Sequence, residues 1–208
     1  FIFCKDGFIT LNRKSFFQRF NISTNLKSWI RKYLYKTNII VFERDENKNK
    51  VYKLNYDIAE IKNINDLRSM KLADEFKENI SKIEYFLSQN VKVFLAKDDK
   101  KVIGHYLVTR LSDFKPYPYL NSKVFDKKDY YIFFCRTSNH YRGQSIYPSM
   151  LDKIIKTCQP SNRVMISTDV NNLSAIRGIE KAGFRKKGTL YYRNLLFYFN
   201  KEEFILQK

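Results

Sequence analysis

The chain has 208 residues, 44% apolar and 29% charged, with 6 glycines and 4 prolines. That balance suits one ordinary domain with an extension, or one large domain, and excludes wholesale disorder, a collagen-like repeat and a linker-dominated chain. Lys and Arg number 39 against 21 Asp and Glu, a formal charge of +18, which permits nucleic acid, an anionic membrane or a polyanionic ligand as partner without choosing among them.

Residues 1–54 read as an extension unlike the rest. Phe16, Phe17 and Phe20 suggest a short helix, and Asn25 to Leu34 a second, with Leu26, Trp29, Ile30, Tyr33 and Leu34 on one face. Lys27, Arg31, Lys32 and Lys36 decorate it, so residues 25–36 can lie on an anionic membrane surface or, as such stripes more often do, pack on their own domain. Asn38 to Phe42 reads as a strand, Asp45 to Lys50 as a polar turn and Val51 to Ile61 as the returning strand of a hairpin. From residue 55 onward we expect the main domain. Asn65 or Asp66 can cap a helix running to about Phe76, and Asn79 to Gln89 carries Ile80, Ile83 and Leu87 at helical spacing.

A hairpin follows, with Val91, Val93 and Leu95 on one arm, a turn at Asp98–Asp99–Lys100, and Val102 to Val108 on the other. Asp113 to Asp129, with Pro116 and Pro118, is a loop long enough to face a substrate. Tyr131 to Cys135 is nearly all apolar, as a strand buried on both faces must be. After the polar turn Thr137 to Ser145, a helix aligns Ile146, Met150, Leu151, Ile154, Ile155 and Cys158, with Pro148 in its first turn. Val164 to Ile166 starts another strand. Asn172 caps a helix that turns Ala175, Ile176, Ile179 and Ala182 inward, and Gly183 ends it in a left-handed cap with Phe184 folding back. Thr189 to Phe199 closes the chain as a strand. There is no internal repeat.

Several classes drop out. Cys4, Cys135 and Cys158 are odd in number and lack a CxxC pair, which argues for a reducing cytoplasm rather than a disulfide framework. His105 and His140 have no Cys or His at ligand spacing, so no metal site is expected. The longest apolar runs, Tyr130 to Cys135 and Leu195 to Phe199, fall far below the roughly 20 residues of a membrane span. No signal-peptide pattern is read at the start, and the chain opens at Phe1 rather than Met, leaving its natural start open. The joint richness in Lys, Asn, Ile, Tyr and Phe is also what AT-rich coding produces unaided, so charge alone does not call for nucleic acid.

The turn Tyr141–Arg142–Gly143–Gln144–Ser145–Ile146 joins a buried strand to a helix N-terminus, where unpaired N–H groups and the helix dipole favour phosphate. Gly143 lets the backbone approach a ligand, and Ser145 can cap the helix or donate to a phosphate oxygen. Any strand–loop–helix junction has such a dipole, so the turn alone does not select phosphate.

The order of elements, with Val164–Met165–Ile166, then Asn172-x-x-Ala175–Ile176, then Glu180–Lys181-x-Gly183–Phe184, together with Ile103–Gly104 and Tyr141–Arg142–Gly143, resembles the GNAT superfamily of acyl-CoA N-acyltransferases over about residues 55–200. The resemblance implies an α/β fold: a mixed, mostly antiparallel sheet splayed at its central strand and flanked by helices, here with an N-terminal helical and hairpin extension. It implies acetyl-CoA as co-substrate, held by backbone at Cys135 and Thr137, by the turn Arg142, Gly143, Gln144, Ser145 and Ile146, and by Asn172. It also implies direct attack of an amine-bearing acceptor on the thioester, with a strand N–H stabilising the oxyanion. Three positions depart from the family pattern. Ser145 replaces its first turn glycine. Tyr147 replaces its last small residue, where a ring either crowds the diphosphate or points aside. Ile179 replaces its common tyrosine acid. Tyr131 sits where some members carry a glutamate base, and Tyr191, Tyr192 and His140 lack positional support, so no catalytic acid or base is named. Arg185, Lys186 and Lys187 either meet nucleotide phosphates or stay solvated. The reading is an N-acetyltransferase; the alternatives are a non-catalytic acyl-CoA- or partner-binding module and a basic nucleic-acid or membrane-surface binder.

Overall fold

An all-apolar strand belongs in the middle of a sheet, and the strand at Tyr130–Thr137 lies there. The computed structural model describes residues 34–45, 56–72, 74–99, 101–195 and 199–207. Among them run nine strands, β1 (Leu34–Arg44), β2 (Asp57–Ile61), β3 (Lys71–Leu72), β4 (Lys92–Asp98), β5 (Lys101–Arg110), β6 (Tyr130–Thr137), β7 (Val164–Asp169), β8 (Phe184–Leu195) and β9 (Phe199–Leu206). They form one sheet in the order β2-β4-β5-β6-β7-β1-β8-β9, with β3 beside β5. Its helices are α1 (Ile64–Arg68), α2 (Asp74–Lys77), α3 (Ile80–Ser88), α4 (Ile146–Ile155) and α5 (Leu173–Lys181). Contacts group residues 37–192 and 202–208 into one unit and 1–36 with 193–201 into another. The core and site below belong to the first.

The α4 stripe folds as its spacing demands. Ile146, Met150, Leu151 and Ile154 are buried against Ile103, Val108, Ile132, Ile166, Ile179 and Phe184, each full burial contributing about 1.5–3 kcal/mol. Pro148 falls in the first turn of α4. In α5, Asn172 Oδ1 accepts from the Ala175 N–H at 3.2 Å. Gly183, at φ +87°, ends the helix, with Phe184 buried behind it.

Four expectations need correction. Residues 38–42 do not form a hairpin with 57–61: β1 pairs antiparallel with β7 and β2 with β4, because burying Ile39, Ile40, Val41 and Phe42 takes an interior place in the sheet. The helix expected from 65 to 76 stops at Arg68, where Lys71 and Leu72 leave to pair in parallel with Lys101 and Val102. The α4 helix ends at Ile155, so Cys158 is buried beyond it. The closing strand begins directly after Gly183, and β9 follows it. The helices expected around Phe16 and Trp29, and residues 51–55, lie outside the described residues; Leu34 opens β1.

Candidate functional site

The parallel strands β6 and β7 are pinned at their starts. The buried Asp129 carboxylate accepts from Arg163 Nε at 2.9 Å and Nη2 at 2.6 Å, and the Tyr130 N–H donates to the Arg163 carbonyl at 2.9 Å. Pairing then runs only through Tyr130–Val164, Tyr131–Met165 and Ile132–Ile166. Beyond Ile132 the strands part. β6 stays with β5, Arg136 facing His105 and Thr137 facing Gly104, while Ser167, Thr168 and Asp169 of β7 stay with β1.

A bulge accompanies the split. Leu107 faces Phe133 and His105 faces Arg136, so Phe134 and Cys135 together oppose one residue, and Phe134 takes φ +49°. Gly104 lets the strands approach there, since a Cβ on it would stand 3.0 Å from the Arg136 carbonyl oxygen. The Ser138 N–H donates to Ile103 at 2.8 Å. Backbone groups alternate along a strand, so with Ser138 bonded to β5 those of Thr137 face the side that β7 has left.

The parting strands open onto a groove of about 560 Å³, within the roughly 300–1,000 Å³ of small-molecule sites. Seven residues expected from sequence line it together: Cys135, Thr137, Arg142, Gly143, Ser145, Ile146 and Asn172. Gln144 does not; its Oε1 accepts from the Tyr56 hydroxyl and its Nε2 donates to the His140 carbonyl at 3.4 Å. Sequence reasoning missed Ala175, Gly178 and Lys181, which also line the groove. Their spacing of three residues from Asn172 along α5 was the available signal.

The turn end of the groove is cationic and rich in N–H groups. First-turn amides of a helix have no intrahelical acceptor, and α4 has no side-chain cap. Ser145 is therefore not the cap its sequence position allows; its Oγ accepts from Lys181 Nζ at 2.9 Å. Arg142 Nε donates to the Thr137 carbonyl at 3.4 Å. Ser145 takes φ 60° and ψ 15°, a left-handed conformation that costs a non-glycine residue about 1–2 kcal/mol. Ser145→Gly relieves that strain but frees the unfolded chain, which costs about 0.4–1 kcal/mol. We expect a net gain of about 0.5–1 kcal/mol in urea unfolding; a loss would show that the Lys181 contact outweighs the strain.

Tyr147 also lines the groove. Its ring packs on Gly178, where a Cβ would stand 2.5 Å from the ring, and its centroid lies 5.8 Å from that of Tyr106. Burial pushes its phenol pKa well above the ordinary value, with Cys135 and Tyr106 adding to the effect. The other reactive groups are quiet. Burial raises the Cys135 thiol to about 12, which unfits it as a nucleophile. Tyr131 closes a ring of hydroxyls with Tyr119 and Ser167, at 2.8, 3.2 and 2.6 Å, where the strands begin to part. Ile179 is wholly buried. Tyr191, Tyr192 and His140 do not line the groove. Neither do Arg185 and Lys187, which pair with Asp45 at 3.2 Å and with Glu43. Among the described residues, no three His, Cys, Asp or Glu side chains cluster as a metal site requires, and no helix is long and apolar enough to cross a membrane.

A family model for the acetyltransferase (GNAT) family matches residues 58–184. No curated protein matches the chain significantly. Among solved structures, a GNAT-family acetyltransferase from Colwellia psychrerythraea is similar at 13% identity and TM-score 0.53, over 88% of this chain and 62% of that one. A GNAT-family acetyltransferase from Staphylococcus aureus is 20% identical at TM-score 0.40, over 62% and 85% of the two chains. A structure from Clostridium acetobutylicum described as a predicted acetyltransferase with acetyl-CoA is 15% identical at TM-score 0.41, over 63% and 90%. This chain thus spans about three fifths of the Colwellia protein's length, and that likeness concerns the fold.

Proposed function

The chain belongs to the acetyltransferase (GNAT) family, and from that premise we propose that it is a cytoplasmic N-acetyltransferase, moving an acetyl group from acetyl-CoA to a primary amine within a ternary complex. The domain that does so is the unit of residues 37–192 and 202–208. The observation that carries the proposal is the parting of β6 from β7 beyond Ile132, with the resulting groove running to the first turn of α4.

In this reading the pantetheine amides pair with backbone groups of Thr137 and Cys135, as a missing strand would. The diphosphate meets the N–H groups of residues 143–147, where the helix dipole and the charges of Arg142 and Lys181 favour it. Asn172 Oδ1 is engaged by the Ala175 N–H, and its Nδ2 donates to the pantetheine arm. A neutral amine attacks the thioester carbonyl carbon. The Cys135 N–H stabilises the oxyanion. The C–S bond then breaks, and CoA thiolate leaves with the electron pair and takes up a proton as the new ammonium loses one. Holding the two reactants together is the main source of rate.

A second reading, an acyl-CoA-binding module without turnover, is favoured by one observation. Ile179 is buried and aprotic where the resemblance implies a tyrosine acid. Two measurements separate the readings: heat stability with and without CoA, and thiol release from acetyl-CoA across a panel of amines. CoA at a hundred times its Kd adds about 2.7 kcal/mol to stability. We expect both stabilisation and release. Stabilisation without release supports the module, and neither sinks both.

A further inference from the structure

We propose that His105 is a positioning residue: its ring holds the Phe134 carbonyl and so aims the Cys135 N–H into the groove. His105 lies on β5, buried, with Nδ1 2.8 Å from the Phe134 carbonyl oxygen. A carbonyl only accepts, so Nδ1 carries the proton. Nε2 is then an acceptor and lies 3.4 Å from Nδ2 of buried Asn79, which can donate to it. The imidazole stacks on the Phe134 ring at 4.8 Å and 26°, and Phe76 meets its edge at 5.3 Å. Position, tautomer and tilt of the ring are therefore all set by neighbours.

What it grips is the bulge. Phe134 has φ +49° without being glycine, and such a backbone persists only where its surroundings over-determine it. Its carbonyl and the Cys135 N–H belong to one trans peptide, and in a trans peptide the two point in opposite directions. Fixing the carbonyl toward His105 fixes the N–H away from it, and Cys135 lines the groove. The role rests on the acyl-transfer reading, in which that N–H stabilises the oxyanion.

The test compares His105→Leu, which keeps bulk and loses the donor, with His105→Asn, whose amide can donate from nearly the Nδ1 position. Each is assayed for CoA affinity by calorimetry and for kcat with an amine the wild type accepts. For His105→Leu we expect CoA affinity within about threefold of wild type and kcat down about a hundredfold, the scale of one lost oxyanion donor. His105→Asn should recover most of that kcat. Equal losses in both variants, or full kcat in His105→Leu, overturn the proposal. If His105→Leu does not fold, long-range ¹⁵N spectra of the wild type decide: protonated Nδ1 supports the clamp, and protonated Nε2 with bare Nδ1 overturns it. A wild type that binds CoA yet acylates no amine defeats the acyl-transfer reading instead. The clamp is then judged by the Cys135 amide resonance on adding acetyl-CoA. A shift in wild type that is lost in His105→Leu supports it, and the same response in both overturns it.

Discussion

Gly178→Leu is expected to weaken CoA binding at least tenfold and to lower unfolding stability by about 1–2 kcal/mol, with most of both losses recovered when Tyr147→Ala is added. Taken alone, helix propensity predicts the opposite, since replacing an interior helical glycine gains about 0.5–1 kcal/mol. Contact geometry decides the sign. A Cβ at Gly178 falls 2.5 Å from one carbon of the Tyr147 ring and 3.0 Å from the next, and a rigid ring cannot yield by bending its tip. The ring must move, and Tyr147 and Gly178 both line the groove, so the space open to it is the groove itself, which the proposed function gives to the pantetheine arm. Overpacking of this kind costs about 1–3 kcal/mol. Tyr147→Ala alone should also destabilise by leaving a cavity, so the two single losses exceed the loss in the double variant. Urea unfolding and calorimetry on all four proteins give the coupling energy; simple additivity would show that the ring does not rest on Gly178.

That pair also marks the limit of what a linear reading reaches. A tyrosine in place of a small residue reads, on its own, as crowding or as turned aside; in the fold its ring rests in the groove wall on a glycine 31 positions later on another helix, a partner no local pattern names. Local chemistry was legible wherever partners lie close in sequence. Asn172 caps α5, Gly183 ends it at positive φ, and the α4 stripe faces the core. Six residues drawn from the end of β6, the turn and the start of α4 share one groove because a strand–turn–helix unit carries its own geometry, whereas Asn172, at the cap of α5, was joined to them only by the family resemblance. Long-range pairing was not legible. Nothing between Asn38 and Phe42 says that its neighbour is β7, more than 120 residues away, rather than the nearby strand. The bulge was equally silent, since its positive φ falls on Phe134 rather than a glycine. Gln144 sits inside the turn motif, but its side chain has Tyr56 to bind instead of the groove. His105, alternating with Tyr106 on an apolar strand, offers no spacing from which its hold on Phe134 could be read.

The same burial makes His105 the source of the second large effect, a loss of stability on mild acidification. Desolvation pushes its pKa down to about 4 from an ordinary 6.5; the charge of Arg136 adds to this, and the hydrogen bond to Phe134 opposes it. An unfolded chain takes up this proton near pH 6.5, while the folded chain refuses it until about pH 4. The unfolded state therefore binds more protons across that window, so stability rises with pH there. The contribution is complete above about pH 6.5 and is lost as pH falls toward 4. At about 1.4 kcal/mol per pH unit, the gap amounts to about 3 kcal/mol, a large share of the 5–15 kcal/mol typical of whole domains. His105→Asn has no proton to gain. It should begin less stable at pH 7.5, and its deficit should shrink steadily between pH 6.5 and 4.5. Urea unfolding of both proteins along that series measures the difference directly, independent of any acyl-CoA or amine. A deficit that stays constant with pH would mean that His105 takes its proton as readily folded as unfolded, and that the ring is not sealed between Phe76 and Phe134.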